Sequence, residues 1–305
     1  MSAQLRVSAW TALPSRHQGL LAMVAAAALL STGALFIKLV SVDVYSITMW
    51  RSGIAALTLA LIFRPKWPPG WYKDPLTWAV ALSYGAMLLL FVVAARATTA
   101  ANAIFLQYTA PLYVVLVSWP LLRERVTRVD LISVVVAFGG MALFFFGRLE
   151  TSDVWGNVAA VGAGVAFAVF LVCLRLRGAN EHLRVRSMVL GNGVLLVLFL
   201  AVNLARPGSG AFTPGLGDAA SLLFLGVFQI GAAYVVFAYA IGRIAALEAG
   251  LIGMVEPVLN PIWVFIFLAE SPGWWAVAGG AVILTAVGLR TLLMERRAAP
   301  AGASP

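Results

Sequence analysis

Long apolar runs separated by short polar interruptions fill this chain almost from end to end. Each run is about twenty residues, the length an α-helix needs to cross the hydrocarbon core of a bilayer. The pattern predicts ten spanning helices, at roughly 18–38, 44–63, 76–96, 99–121, 128–147, 154–174, 186–204, 218–240, 245–268 and 273–293. A closed barrel would instead show strands of about ten residues with alternating polarity, and the sequence has none. The expected class is therefore an all-α polytopic membrane protein. Its connections are too short to hold a soluble domain.

Composition sharpens this reading. The 305 residues are 62% hydrophobic and 11% charged, where a soluble domain carries about 25% charge. The single cysteine, Cys173, excludes internal disulfides. The basic N-terminal stretch precedes the first run without a small-residue cleavage site, so a removable signal peptide is not expected.

A net charge of +9 invites a nucleic-acid partner, but its distribution argues against one. With the N-terminus placed inside, Arg64, Lys66, Lys73, Arg123, Arg125, Arg128, Arg175, Arg177, Arg184 and Arg186 all fall in or beside inner connections. The outer ends hold only Lys38, Arg96, Arg148 and Arg206. Basic residues enriched inside set orientation, and both termini, 1–17 and 294–305, are expected in the cytoplasm. Trp67, Trp71, Trp78, Trp119, Trp155, Trp274 and Trp275 fall near span ends, where aromatic belts form.

The fourth span, LQYTAPLYVVLVSWPLLRE, repeats in the ninth, GMVEPVLNPIWVFIFLAE. Pro111 matches Pro257 and Glu124 matches Glu270, each pair 146 positions apart. Upstream, Gly19 matches Gly156 and Lys38 matches Arg175, each pair 137 apart. The chain thus divides into two five-span units, 18–147 and 154–293. Because five is odd, the second unit must enter the membrane inverted. Inverted repeats are a mark of secondary transporters, which bind solute near the midplane between the halves.

These signature stretches, YTAPLYVVLVSWPLLRERVT and EPVLNPIWVFIFLAE, resemble those of EamA-type proteins in the drug/metabolite transporter superfamily. The resemblance covers nearly the whole chain. It implies ten helices in two EamA repeats, and export of small metabolites from the bacterial cytoplasm across the inner membrane. It is similar in span number to the YddG-type exporters of aromatic and other amino acids. Drugs, sugars and nucleosides are alternative solutes on the same resemblance.

Glu256 stands out as a carboxylate near the middle of an apolar span, a placement that costs about 2.5–3.5 kcal/mol on insertion scales. Such a group faces protein or water. It either meets a substrate ammonium or a coupled proton, or holds another helix. Asn260 and Trp263 follow at four and seven residues, on the same helical face, as a cavity lining or as helix-packing contacts. Gln107 and Tyr108 stand a turn before Pro111, Tyr84 lies in the third span, and Tyr234 and Tyr239 lie in the eighth. A buried tyrosine hydroxyl needs a partner, so converging tyrosines suit an amphipathic solute, and core packing suits them as well. Trp50 and Arg51 lie within the second span. Arg51 either meets a solute carboxylate, snorkels outward or pairs with Asp43. Pro111 and Pro257 each remove a backbone hydrogen bond, as paired gating joints or as packing kinks.

Other classes fit less well. His17 and His182 are the only histidines and lie outside the predicted spans, which leaves an intramembrane enzyme without its usual groups. No phosphate-binding lysine motif or metal-ligand spacing is present in the sequence, so no cofactor or metal is expected, and nothing calls for an obligate protein partner. No filter-like loop favours a channel.

Overall fold

In the computed structural model the described residues are 13–98, 100–147, 154–176, 178, 180–206, 208, 210–268 and 273–298. They form helices and connections, with no strand among them. The first half contains α1 (Ser15–Leu30), α2 (Gly33–Leu39), α3 (Val44–Phe63), α4 (Pro75–Ala97), α5 (Ala100–Gln107), α6 (Ala110–Val117) and α7 (Arg128–Phe144). The second contains α8 (Val154–Leu176), α9 (Glu181–Leu204), α10 (Leu216–Phe224), α11 (Ala233–Ile241), α12 (Ala246–Gly253), α13 (Val255–Leu268) and α14 (Trp274–Ala298). Wide π turns follow α6, at Ser118–Leu122, and join α10 to α11, at Leu225–Ala232.

Among the described residues, eight helical stretches are long and apolar enough to cross a membrane. The other two expected spans correspond to shorter helices among the described residues. The fifth is α7, only 17 residues long, at the short end of the spanning range. The ninth is broken into α12 and α13 at Met254.

That break has a local cause. A proline lacks the N–H that would bond to the carbonyl four residues earlier, and its ring clashes there. Four residues before Pro257 is Gly253, where α12 ends, and four before Pro111 is Gln107, where α5 ends. Each proline then sits in the first turn of the next helix, α13 or α6, where a missing donor costs nothing. Side-chain caps mark the starts of other helices. The Asp43 carboxylate accepts from the Ser46 backbone N–H, and Thr127 and Asp130 form a reciprocal capping box at the start of α7.

Large apolar side chains line the outside. Leu57, Leu61, Leu116, Val135, Val197 and Leu284 are all exposed, more bare hydrophobic surface than a protein in water sustains. The polar groups turn inward instead. Arg51, Ser52, Asn102, Asn192, Gln229 and Glu248 are buried. α8 packs on α4, α5 and α6; α1 packs on α11, α12 and α13; α3 crosses α9, and α7 lies along α14.

Candidate functional site

The two broken spans cross at their breaks. A Cβ added at Gly250 would touch the Pro111 ring at 3.4 Å, and one at Gly253 would stand 3.7 Å from the Tyr108 ring. Glycine therefore lets α12 come close to the joint between α5 and α6. Across this crossing the Tyr108 hydroxyl donates to Glu256 Oε2 at 2.6 Å.

A central cavity opens beside that bond. Its polar lining is Arg51, Gln107, Tyr108, Gln229, Tyr234 and Glu256, set among apolar side chains from α1, α2, α4, α8 and α11. Both halves of the chain contribute. The cavity volume is about 70 Å³, space for a few waters rather than for a larger molecule. Ligand pockets are usually several hundred Å³, so the cavity in this form is too small for a drug-sized molecule.

Aromatic rings support the lining. Tyr234 meets Tyr84 edge-on, with centroids 4.9 Å apart, and Tyr108 meets Phe167 in the same manner at 6.2 Å. Tyr84 itself lies behind the cavity wall, where its hydroxyl accepts from Asn192 Nδ2 at 3.1 Å. Gln229 stands in the π turn between α10 and α11, a widened backbone that often marks a functional position.

Arg51 is 2% exposed. Among the described residues, neither its Nε nor its Nη2 has a hydrogen-bond partner. An unpaired buried ion costs several kcal/mol even after relaxation. The expected alternatives for it are not realised. Asp43 instead accepts from the Ser46 hydroxyl and pairs with Arg206 at 2.5 Å, and burial rules out outward snorkelling. Gln229 Oε1 is likewise buried without a partner among the described residues.

Of the residues singled out from sequence, Gln107, Tyr108, Tyr234 and Glu256 come together at the cavity. Trp50 does not join them, because its indole donates to the Ala211 carbonyl at 2.8 Å. Trp263 donates to Ser31 Oγ at 2.7 Å, in the turn between α1 and α2. Tyr239 donates to Gln18. The side chain of Asn260, and Glu270 altogether, lie outside the described residues. Sequence reasoning passed over Gln229 and Asn192, although a lone amide within an apolar run is the same signal that drew attention to Asn260.

An ionic cluster closes the bundle where α1 begins and α14 finishes. Buried Glu248 takes Arg290 Nη1 at 2.6 Å and Arg16 Nη2 at 2.5 Å. Arg290 also reaches buried Asp130 at 2.8 Å. Nearby, Arg175 Nε bonds Glu124 at 2.8 Å. At the opposite end the ties are the Asp43–Arg206 pair and the bonds from Ser41 to Asp218.

Comparison with known proteins agrees with this architecture. The model of the EamA-like transporter family matches residues 17–146 and again 154–292. An uncharacterized transporter of Archaeoglobus fulgidus is 28% identical over 84% of this chain and 91% of its own length. The threonine/homoserine exporter RhtA of Salmonella typhimurium is 27% identical over 82% of both chains. Solute carrier family 35 member G1 of Mus musculus is 25% identical over 89% of this chain and 77% of its own. A crystal structure shares the fold with a TM-score of 0.78, over 92% of this chain and 99% of that one, at 20% identity.

Proposed function

Because the chain belongs to the EamA-like transporter family, we propose that it is a secondary carrier exporting amino acids, aromatic ones included, across the bacterial inner membrane. In this reading ten spans form two inverted repeats, 18–147 and 154–293, with both termini cytoplasmic. Alternating access moves solute through the central cavity, and Pro111 and Pro257 provide the joints.

The observation that carries the proposal is a polar cavity built by both halves where two proline-broken spans cross. Packing supports the repeat. Exchanging the halves turns the contact of α8 with α4 into that of α1 with α11, and the contact of α8 with α5 and α6 into that of α1 with α12 and α13. The matched glycines follow suit, Gly19 pressing on Arg243 and Ile244, and Gly156 on Ala97 and Thr98. Discontinuous helices crossing at a repeat interface are where secondary transporters hold their solutes. The amino acid reading draws on the likeness to RhtA. The rings of Phe167, Tyr234 and Phe237 around the cavity suit larger side chains.

Expression in bacteria tests this. The carrier should restore growth on toxic threonine or phenylalanine analogues and lower their internal concentration. Unchanged sensitivity to amino acid analogues, with resistance to unrelated cationic drugs, would refute amino acid export and favour drug export.

A further inference from the structure

We infer that Arg51 and Glu256 are the two ends of a zwitterion site, the guanidinium taking the α-carboxylate of an amino acid and the carboxylate taking its α-ammonium. The inference rests on the amino acid reading above and assigns the groups that enforce it.

The two side chains approach one cavity from different halves, Arg51 on α3 and Glu256 on α13. Arg51 brings buried donors that no described residue uses. Its fork of N–H groups matches a carboxylate in bidentate geometry. Asp43, the acid nearest in sequence, is held by Ser46 and Arg206 and does not compete. Among the described residues Glu256 has a single hydrogen bond, from Tyr108 to Oε2, which leaves Oε1 for an ammonium donor. Tyr234 lines the same cavity as both charged groups. Gln229 Oε1, also without a partner, adds an acceptor on the same wall.

Charge balance selects the ligand class. An amine alone leaves the Arg51 charge buried and unanswered, and a carboxylic acid alone leaves Glu256 so. A zwitterion answers both, and a site that must pair a buried polar group rejects analogues lacking the complement. An uncharged solute, such as a sugar or nucleoside, answers neither charge.

The experiment is counterflow in proteoliposomes of the full chain, run with each of the twenty standard amino acids in labelled form. Competitors are the matched half-molecules of the amino acid carried. For threonine these are 1-aminopropan-2-ol and 3-hydroxybutyrate; for phenylalanine they are phenethylamine and 3-phenylpropionate. In the wild type each half-molecule should compete about 10–100-fold more weakly than the amino acid, the range for a lost charged hydrogen bond. Arg51→Gln should raise half-saturation for the amino acid by a similar factor and leave competition by the amine unchanged. Glu256→Gln should do the converse, sparing the acid. Half-molecules that compete within about threefold of the amino acid in wild type overturn the assignment, even where a variant fails to fold. So does a folded Arg51→Gln carrier with unaltered half-saturation. Both results leave amino acid export standing. Absence of counterflow for all twenty amino acids overturns export and assignment together.

Discussion

Tyr108 donates its hydroxyl to Glu256 at 2.6 Å, joining the break in one proline-interrupted span to the break in the other. The bond ties the two halves at the point where the proposed alternating access would part them. The carboxylate thus holds another helix, as one of its two readings expects, while it also lines the cavity.

The two roles separate by substitution. Tyr108→Phe removes one interhelical hydrogen bond, and such bonds average about 0.6 kcal/mol in membranes. Its melting temperature in detergent should fall only slightly. Glu256→Gln keeps an acceptor for Tyr108 and loses the charge, so melting should change little while flux per reconstituted molecule drops by about tenfold or more. Wild-type flux in Glu256→Gln would leave this residue a purely structural role.

The ionic cluster at the α1 and α14 end should dominate stability. Removing one partner of a buried ion pair costs about 3–5 kcal/mol, because the other charge stays buried. Glu248→Ala strips Arg290 of one partner and Arg16 of its closest one. It should lower the melting temperature far more than Glu295→Ala, whose contacts with Arg16 and His17 are partly exposed. Thermal melting of the two variants side by side checks the order.

Asp43 gives a pH dependence. Burial works against its charge, but the Ser46 hydrogen bonds and the Arg206 guanidinium outweigh it and hold the carboxyl below its usual range. A depressed carboxylate contributes stability above its unfolded pKa, ~3.9, and loses that contribution as pH falls through the folded value. The melting difference between wild type and Asp43→Asn should therefore be full at neutral pH and shrink below about pH 4.

Orientation can be read with cysteines in a background where Cys173, the only native thiol, is replaced. Arg184, an obvious choice from sequence, is fully buried and would resist reagents from either side. Exposed His182 and Thr213 are better positions. In intact cells an impermeant reagent should label a cysteine at Thr213 and spare one at His182. The reverse pattern would invert the topology.

The spans and their breaks were legible because each depends on local chemistry. Apolar length marks a crossing helix, and Pro111 and Pro257 interrupt the ladder four residues back whatever surrounds them. Tyr108 and Glu256 were legible as polar groups set in apolar runs. What sequence left open was direction. Trp50 and Arg51 are adjacent, yet successive helical residues point about 100° apart, and one reaches the Ala211 carbonyl while the other reaches the cavity. Trp263 shares a helical face with Glu256 but lies two turns along it, against Ser31 rather than the cavity. Glu248 gave no signal, because a carboxylate near a span end looks like any surface acid until Arg290 and Arg16 close over it.

The measurement that bears most directly on the central claim is solute flux by the purified protein in proteoliposomes, without ATP, across labelled amino acids, sugars and nucleosides. A carrier working through this cavity should give saturable amino acid flux that is accelerated by the same amino acid on the far side. Saturable flux of a sugar or nucleoside with none for any amino acid would contradict the account.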